Sequence, residues 1–176
     1  MVPWPQFSAN IRFFIQTILT QEGGMLDTKI VLITPPPLNG PEAGVTGKES
    51  AREIEESNEW RKEGPRYKTY MSKKRYAEGL MEIAKEYEET GRVIGLDYWR
   101  AMIEASGLGR CEDFEEMGMW PGCDLIGVKS FEKGWFTDGL HLDVKGYGVL
   151  NEMVVREVVG TWPELAPERI GKVDEA

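Results

Sequence analysis

Histidine occurs once in this 176-residue chain and cysteine twice. A structural zinc takes about four ligands, drawn mostly from these two residue types. Cys111 and Cys123, with eleven residues between them, do not complete such a set with His141. No metal or other cofactor is expected. Basic charge is scarce as well: 21 Lys and Arg stand against 30 Asp and Glu, a net charge of −9 at pH 7. A nucleic-acid binder needs a basic face to displace counterions, and attraction to an anionic membrane needs the same sign. Neither partner is expected. No apolar run approaches the roughly 20 residues that span a bilayer. The opening residues MVPWPQF have neither the basic nor the apolar region of a secretory signal. The expectation is a reducing, cytoplasmic location with both thiols free. Internal repeats and long low-complexity tracts are also missing, which excludes repeat arrays.

What is present has the makings of a soluble globular domain, with 41% apolar and 29% charged residues. From Pro5 onward, Ile11, Phe14, Ile15 and Ile18 recur on one helical face, with Ser8 as the expected cap. Gln21 to Asp27 reads as a connector. KIVLIT, Lys29 to Thr34, is a β-branched apolar run stopped by three prolines, as a buried parallel strand would be. Leu38 to Lys68 is rich in Gly, Pro and Glu, and is expected to be irregular with a short helix near Glu49 to Trp60. A second amphipathic helix is expected over Ser72 to Glu89, with Tyr76, Leu80, Ile83, Ala84 and Tyr87 inward and Gly91 ending it. RVIGLD, Arg92 to Asp97, reads as the second buried strand, and Tyr98 to Ala105 begins a helix. Cys111 to Lys133 has little periodicity and reads as loop. The last helix, Val144 to Thr161, should turn Tyr147, Leu150, Val154 and Val158 inward, and the tail packs from Trp162 before fraying. The alternation is an α/β pattern with a parallel sheet, yet with fewer strands than such a sheet normally has.

The one histidine sits in FTDGLHLDVKGYGVL, Phe136 to Leu150, three residues after Asp138. Imidazole is the usual proton shuttle at neutral pH, and a carboxylate beside it fixes its tautomer. At this spacing in a turn, Asp138 can reach one ring nitrogen and leave the other free to take a proton. The competing expectation is that Asp138 caps the last helix and His141 fills its first turn.

DGLH followed by KGY resembles the Asp-x-x-His block of the SGNH (GDSL-type) hydrolases. KIVLITPPP, YAEGLMEIAKE leading to VIGLDYW, and TWPELAPE are similar to segments of the isoamyl acetate-hydrolysing esterases, especially fungal ones. The likeness runs from about Val2 to Arg169. It implies a flavodoxin-like three-layer αβα sandwich and hydrolysis of small acyl esters by a Ser-His-Asp mechanism without cofactor. His141 would be the general base and Asp138 its orienter. The family's serine lies in a Gly-Asp-Ser block and its oxyanion donors include the asparagine of Gly-x-Asn-Asp. Neither block occurs in these 176 residues. The resemblance therefore implies the C-terminal portion of such a domain over residues 1–170, without its N-terminal strands, and a tail over 171–176. The alternative is a truncated or non-catalytic paralogue that acts as a binding protein. A strand edge left uncovered is a template for self-association.

Other signals fail on spacing. GPEAGVTGK, Gly40 to Lys48, ends in Gly-Lys, but Glu42 stands at the first glycine of a phosphate-binding loop and Glu49 at its Ser or Thr. GLGRCE, from Gly107, fails as a dinucleotide fingerprint at its last position. Cys123 as a nucleophile for His141 would need a basic neighbour or helix N-terminus. The serines at 8, 50, 57, 72, 106 and 130 lie in no strand-to-helix elbow. Trp120, Trp135 and Phe136 read as core rather than as pocket lining. Asp97 reads as a turn former, and Glu82 to Glu89 as a solvated face.

Overall fold

The computed structural model describes residues 2–21, 27–40, 65–125 and 127–169, with 65–68 as backbone alone. Its architecture is α/β: helices combine with a two-stranded parallel sheet among the described residues. The elements are α1 (Trp4–Thr20), β1 (Ile30–Ile33), α2 (Pro65–Glu86), β2 (Val93–Leu96), α3 (Tyr98–Ala105), α4 (Cys111–Met117) and α5 (Val144–Met153). The last helix continues through a π-helical turn (Val154–Val158) into a final turn, α6 (Val159–Thr161). The chain forms two compact units. One comprises Met1–Thr34, Tyr76–Asp97 and Leu150–Ala176, the other Pro35–Arg75 and Tyr98–Val149.

The first unit holds the sheet. β1 pairs with β2 in register Ile30↔Val93 to Ile33↔Leu96. One cluster of its core is Ile15, Ile83 and Val93, against which Trp4, Ile11, Leu19, Ile30, Leu32 and Tyr87 pack. A methyl at Gly95 would lie 2.8 Å from the Ala84 Cβ, so the missing side chain lets α2 sit close on β2. The Arg12 guanidinium holds Glu86 through two bonds, at 2.7 and 2.6 Å. Gly91 ends the 3₁₀ turn Glu88–Thr90 in the left-handed conformation. Trp162, buried as expected of the tail, donates its Nε1–H to the Gly91 carbonyl at 3.0 Å.

The second unit packs α3 and α4 against aromatic residues. Tyr70 meets Trp99 edge-on with ring centres 4.9 Å apart, and the Tyr98 hydroxyl donates to the Gly146 carbonyl at 2.6 Å. Phe131 packs against both Trp135 and Phe136. Trp120, Trp135 and Phe136 are all buried, as the core reading required.

Several expectations need correction. Ser8 does not cap α1: the helix begins at Trp4, and the Ser8 hydroxyl donates to the Pro5 carbonyl inside it. Phe14 is exposed, because the inward stripe is narrow and centred on Ile15. β1 is half-exposed rather than buried, with Ile33 at 41%. α2 starts at Pro65, seven residues earlier than its apolar face suggested. Proline suits a first helical turn, where its missing N–H costs no bond. Within the supposed loop, Cys111–Met117 is helical, with Cys111 and Phe114 as its buried side. On the last helix Tyr147 is exposed, and Met153 and Val158 are its buried apolar side chains. The short helix near Glu49 to Trp60, most of the Gln21 to Asp27 connector, the Gly40 to Lys48 loop beyond Gly40, Ser50, Ser57 and the 171–176 tail lie outside the described residues.

Candidate functional site

Asp138 and His141 sit at the tip of a small hairpin-like turn in the second unit. Phe136 and Leu142 form an antiparallel bridge, and Thr137 donates its N–H to the His141 carbonyl at 2.9 Å. Asp143 then donates to the Trp135 carbonyl at 2.9 Å and, through its own carbonyl, accepts the first bond of α5 from Tyr147. Asp143 also accepts the Val144 N–H on Oδ1 at 2.7 Å. The start of α5 is therefore held by Asp143. The expectation that Asp138 caps this helix is corrected.

Asp138 turns its carboxylate onto His141 instead. Oδ2 lies 2.7 Å from Nδ1, while Oδ1 accepts the backbone N–H groups of His141 at 2.8 Å and Leu140 at 3.0 Å. Both side chains are exposed, His141 at 72% and Asp138 at 55%. These donors, the His141 N–H first, hold the Asp138 carboxyl far below its ordinary value, so it is ionised at neutral pH. An ionised carboxylate can only accept, so Nδ1 carries the ring proton of the neutral imidazole and Nε2 presents a lone pair. Nε2 has no partner among the described residues. The arrangement can accept a proton on Nε2 and stabilise the resulting imidazolium through Oδ2.

The turn is tied from far away in sequence. Asn39 donates its N–H to the Gly139 carbonyl at 2.8 Å. Its side-chain amide meets both main-chain groups of Phe131, donating at 3.0 Å and accepting at 2.9 Å. Beside the turn lies a cavity of about 290 Å³, lined by Leu38, Asn39, Lys73, Asp138, Gly139 and Leu140 among others. Burial pulls the Lys73 ammonium below its usual value. Asn39, Lys73 and Gly139 carry no signal of their own in the sequence. The one trace is the Asn39-Gly40 turn dipeptide after the prolines.

A larger groove of about 520 Å³ lies in the first unit along Val93, Ile94 and Gly95. Its polar lining comes from Glu82, Lys85, Glu88, Glu157 and Thr161, without a histidine or cysteine. The Asp138–His141 turn borders the smaller cavity, which Asp138 lines and His141 does not, and that turn is the candidate site.

The remaining candidates do not join this site. Cys111 and Cys123 are both buried and unbridged, and burial pushes the Cys123 thiol up, away from thiolate. The Ser8 and Ser106 hydroxyls donate to nearby carbonyls, Ser106 to that of Ile103 at 2.6 Å. No serine, threonine or cysteine side chain is hydrogen-bonded to the His141 ring among the described residues. No group of three or more metal-ligating side chains occurs among them, and none of their helices is long and apolar enough to cross a membrane. No protein-family model matches the chain, and neither a curated protein nor a solved structure matches it.

Proposed function

We propose that this chain is a carboxylic ester hydrolase region of the SGNH type, acting on small acyl esters, in a flavodoxin-like αβα sandwich of which the described sheet supplies two strands. The observation that supports this reading most directly is the 2.7 Å contact between Asp138 Oδ2 and His141 Nδ1, with Nε2 left open. In this reading Nε2 takes the proton of an attacking serine hydroxyl and returns it to the leaving alcohol. Water then repeats the cycle to release the acid, and Asp138 stays ionised throughout. The family's nucleophile and oxyanion blocks are absent from these 176 residues.

The test is hydrolysis of short-chain nitrophenyl esters by two polypeptides. The 176-residue chain should turn them over at close to the uncatalysed rate, and a serine-directed fluorophosphonate should not label it. A chain extended upstream through an encoded Gly-Asp-Ser block should be active and should lose that activity on His141→Ala. An extended enzyme indifferent to His141→Ala would overturn the reading. A second reading, a binding protein without catalysis, is favoured by one observation: no nucleophile meets the His141 ring among the described residues. Stoichiometric labelling of a serine in the 176-residue chain, abolished by His141→Ala, would exclude it.

A further inference from the structure

We propose that the cavity beside the Asp138 turn is a carboxylate-binding site, with the Lys73 ammonium as anchor and Leu38 and Leu140 receiving a short apolar chain. Three observations carry it. Lys73 lines the cavity together with Asp138, and no hydrogen bond or ion pair joins its ammonium to another described residue. A half-buried cation held by no ion pair is stabilised by an arriving anion that can pair with it directly, and its own desolvation is partly met in advance. Asp138 shares the cavity wall without forming an ion pair with Lys73: its Oδ1 accepts two backbone N–H groups and its Oδ2 faces the imidazole.

Size and charge narrow the ligand. At about 290 Å³ the cavity is at the small end of ligand pockets. Among the described lining residues, Asp138 adds one negative charge against the single cation Lys73, which suits a monoanion and disfavours a phosphate dianion. The apolar Leu38 and Leu140 fit the alkyl part of a short fatty acid. If the ester-hydrolase reading holds, this ligand is the acid product, and the site would produce product inhibition. The carboxylate site itself does not depend on that reading.

The experiment uses the whole 176-residue chain, labelled for amide spectra and titrated with sodium butyrate, sodium chloride and sodium phosphate. Butyrate is expected to shift the Asn39, Gly139 and Leu140 amides and the Lys73 side-chain signal saturably, and phosphate more weakly. Lys73→Met should weaken butyrate binding at least about tenfold, the usual scale for a charge-assisted contact, and Lys73→Arg should keep most of it. Because the titration is read on the 176-residue chain, which the hydrolase reading expects to be inactive, its outcome is independent of turnover by an extended enzyme, and the two readings can fail separately. Shifts that chloride reproduces, a Lys73 signal that butyrate does not move, or phosphate binding as tight as butyrate would each overturn the proposal. The Lys73 signal is read on the unsubstituted protein, so the outcome does not depend on any variant folding.

Discussion

Gly139 and Asn39 approach so closely that no side chain fits between them. Gly139 has φ +82°, its carbonyl accepts the Asn39 N–H at 2.8 Å, and a Cβ on it would stand 2.1 Å from the Asn39 carbonyl oxygen. The neighbour is backbone rather than a flexible side chain. The glycine between Asp138 and Leu140 is thus what allows the turn to fold back on Asn39 and aim Asp138 at His141.

Gly139→Ala is accordingly expected to destabilise the protein by about 2 kcal/mol or more, from a left-handed backbone with a Cβ plus the clash. Urea denaturation measures it. Amide shifts at His141 and Asn39 should move together in the variant. A variant as stable as the parent would mean that the turn does not lie against Asn39.

Two buried tyrosines should respond oppositely to loss of their hydroxyls. Tyr98 donates to Gly146 at 2.6 Å, and burial pushes its ionisation up to about 12. Tyr98→Phe removes that bond and is expected to cost roughly 1 to 2 kcal/mol. The Tyr70 hydroxyl is buried with no hydrogen-bond partner among the described residues. Tyr70→Phe removes a desolvated, unsatisfied group and should be neutral or stabilising by up to about 1 kcal/mol. Thermal or urea midpoints of the pair decide this, and equal losses would contradict the two environments.

Asp138 ties stability to acid. Its folded-state ionisation lies below the ordinary 3.8, chiefly because it accepts from His141 and Leu140. A depressed carboxylate contributes stability that is fully present above its unfolded value and lost as pH falls through the folded one. Asp138→Asn keeps an oxygen for the backbone N–H groups but removes the charge facing the ring. The difference in stability between parent and variant should therefore be present at neutral pH and shrink below about pH 4. Denaturation midpoints collected from neutral pH downward test this, and a difference that stays constant with pH would show that the charge contributes nothing.

Local patterns made part of the molecule legible. IVLI and VIGL are uniform β-branched or apolar runs, and Tyr98 to Ala105 begins directly after the second, so all three could be read. The Asp138 and His141 contact was legible because an i, i+3 spacing in a turn is a local geometry. α4 was not, because CEDFEEM is two turns with Cys111 and Phe114 as its buried residues, too short for a period to register. The Asn39-Gly40 dipeptide marks a turn, but the role of Asn39 could not be read from it. Its amide meets Phe131 at a separation of 92 residues, and nothing local in PPPLNG encodes that partner. Lys73 reads as one charge among many on α2. It is distinguished by the cavity it lines, which tertiary structure alone creates.

The alternation of main-chain bonds along β1 leads to the last expectation. Ile30 donates its N–H to Arg92 at 2.8 Å and Thr34 to Leu96 at 3.0 Å. Main-chain direction alternates along a strand, so Leu32 also faces β2, while Val31 and Ile33 turn their N–H and C=O groups to the other side. There, among the described residues, β1 has no partner strand. A two-stranded sheet with such an edge offers a ready template for pairing with another copy. In dilute protein the Val31 and Ile33 amides should exchange with solvent faster than those of Ile30 and Thr34. Sedimentation velocity over a micromolar concentration series should show self-association, with the Val31 and Ile33 amides gaining protection as it proceeds. Ile33→Lys places a charge at a position 41% exposed and should weaken that association without unfolding the chain. A parent protein that stays monomeric throughout, with Val31 and Ile33 as protected as Ile30, would show that this edge is already covered.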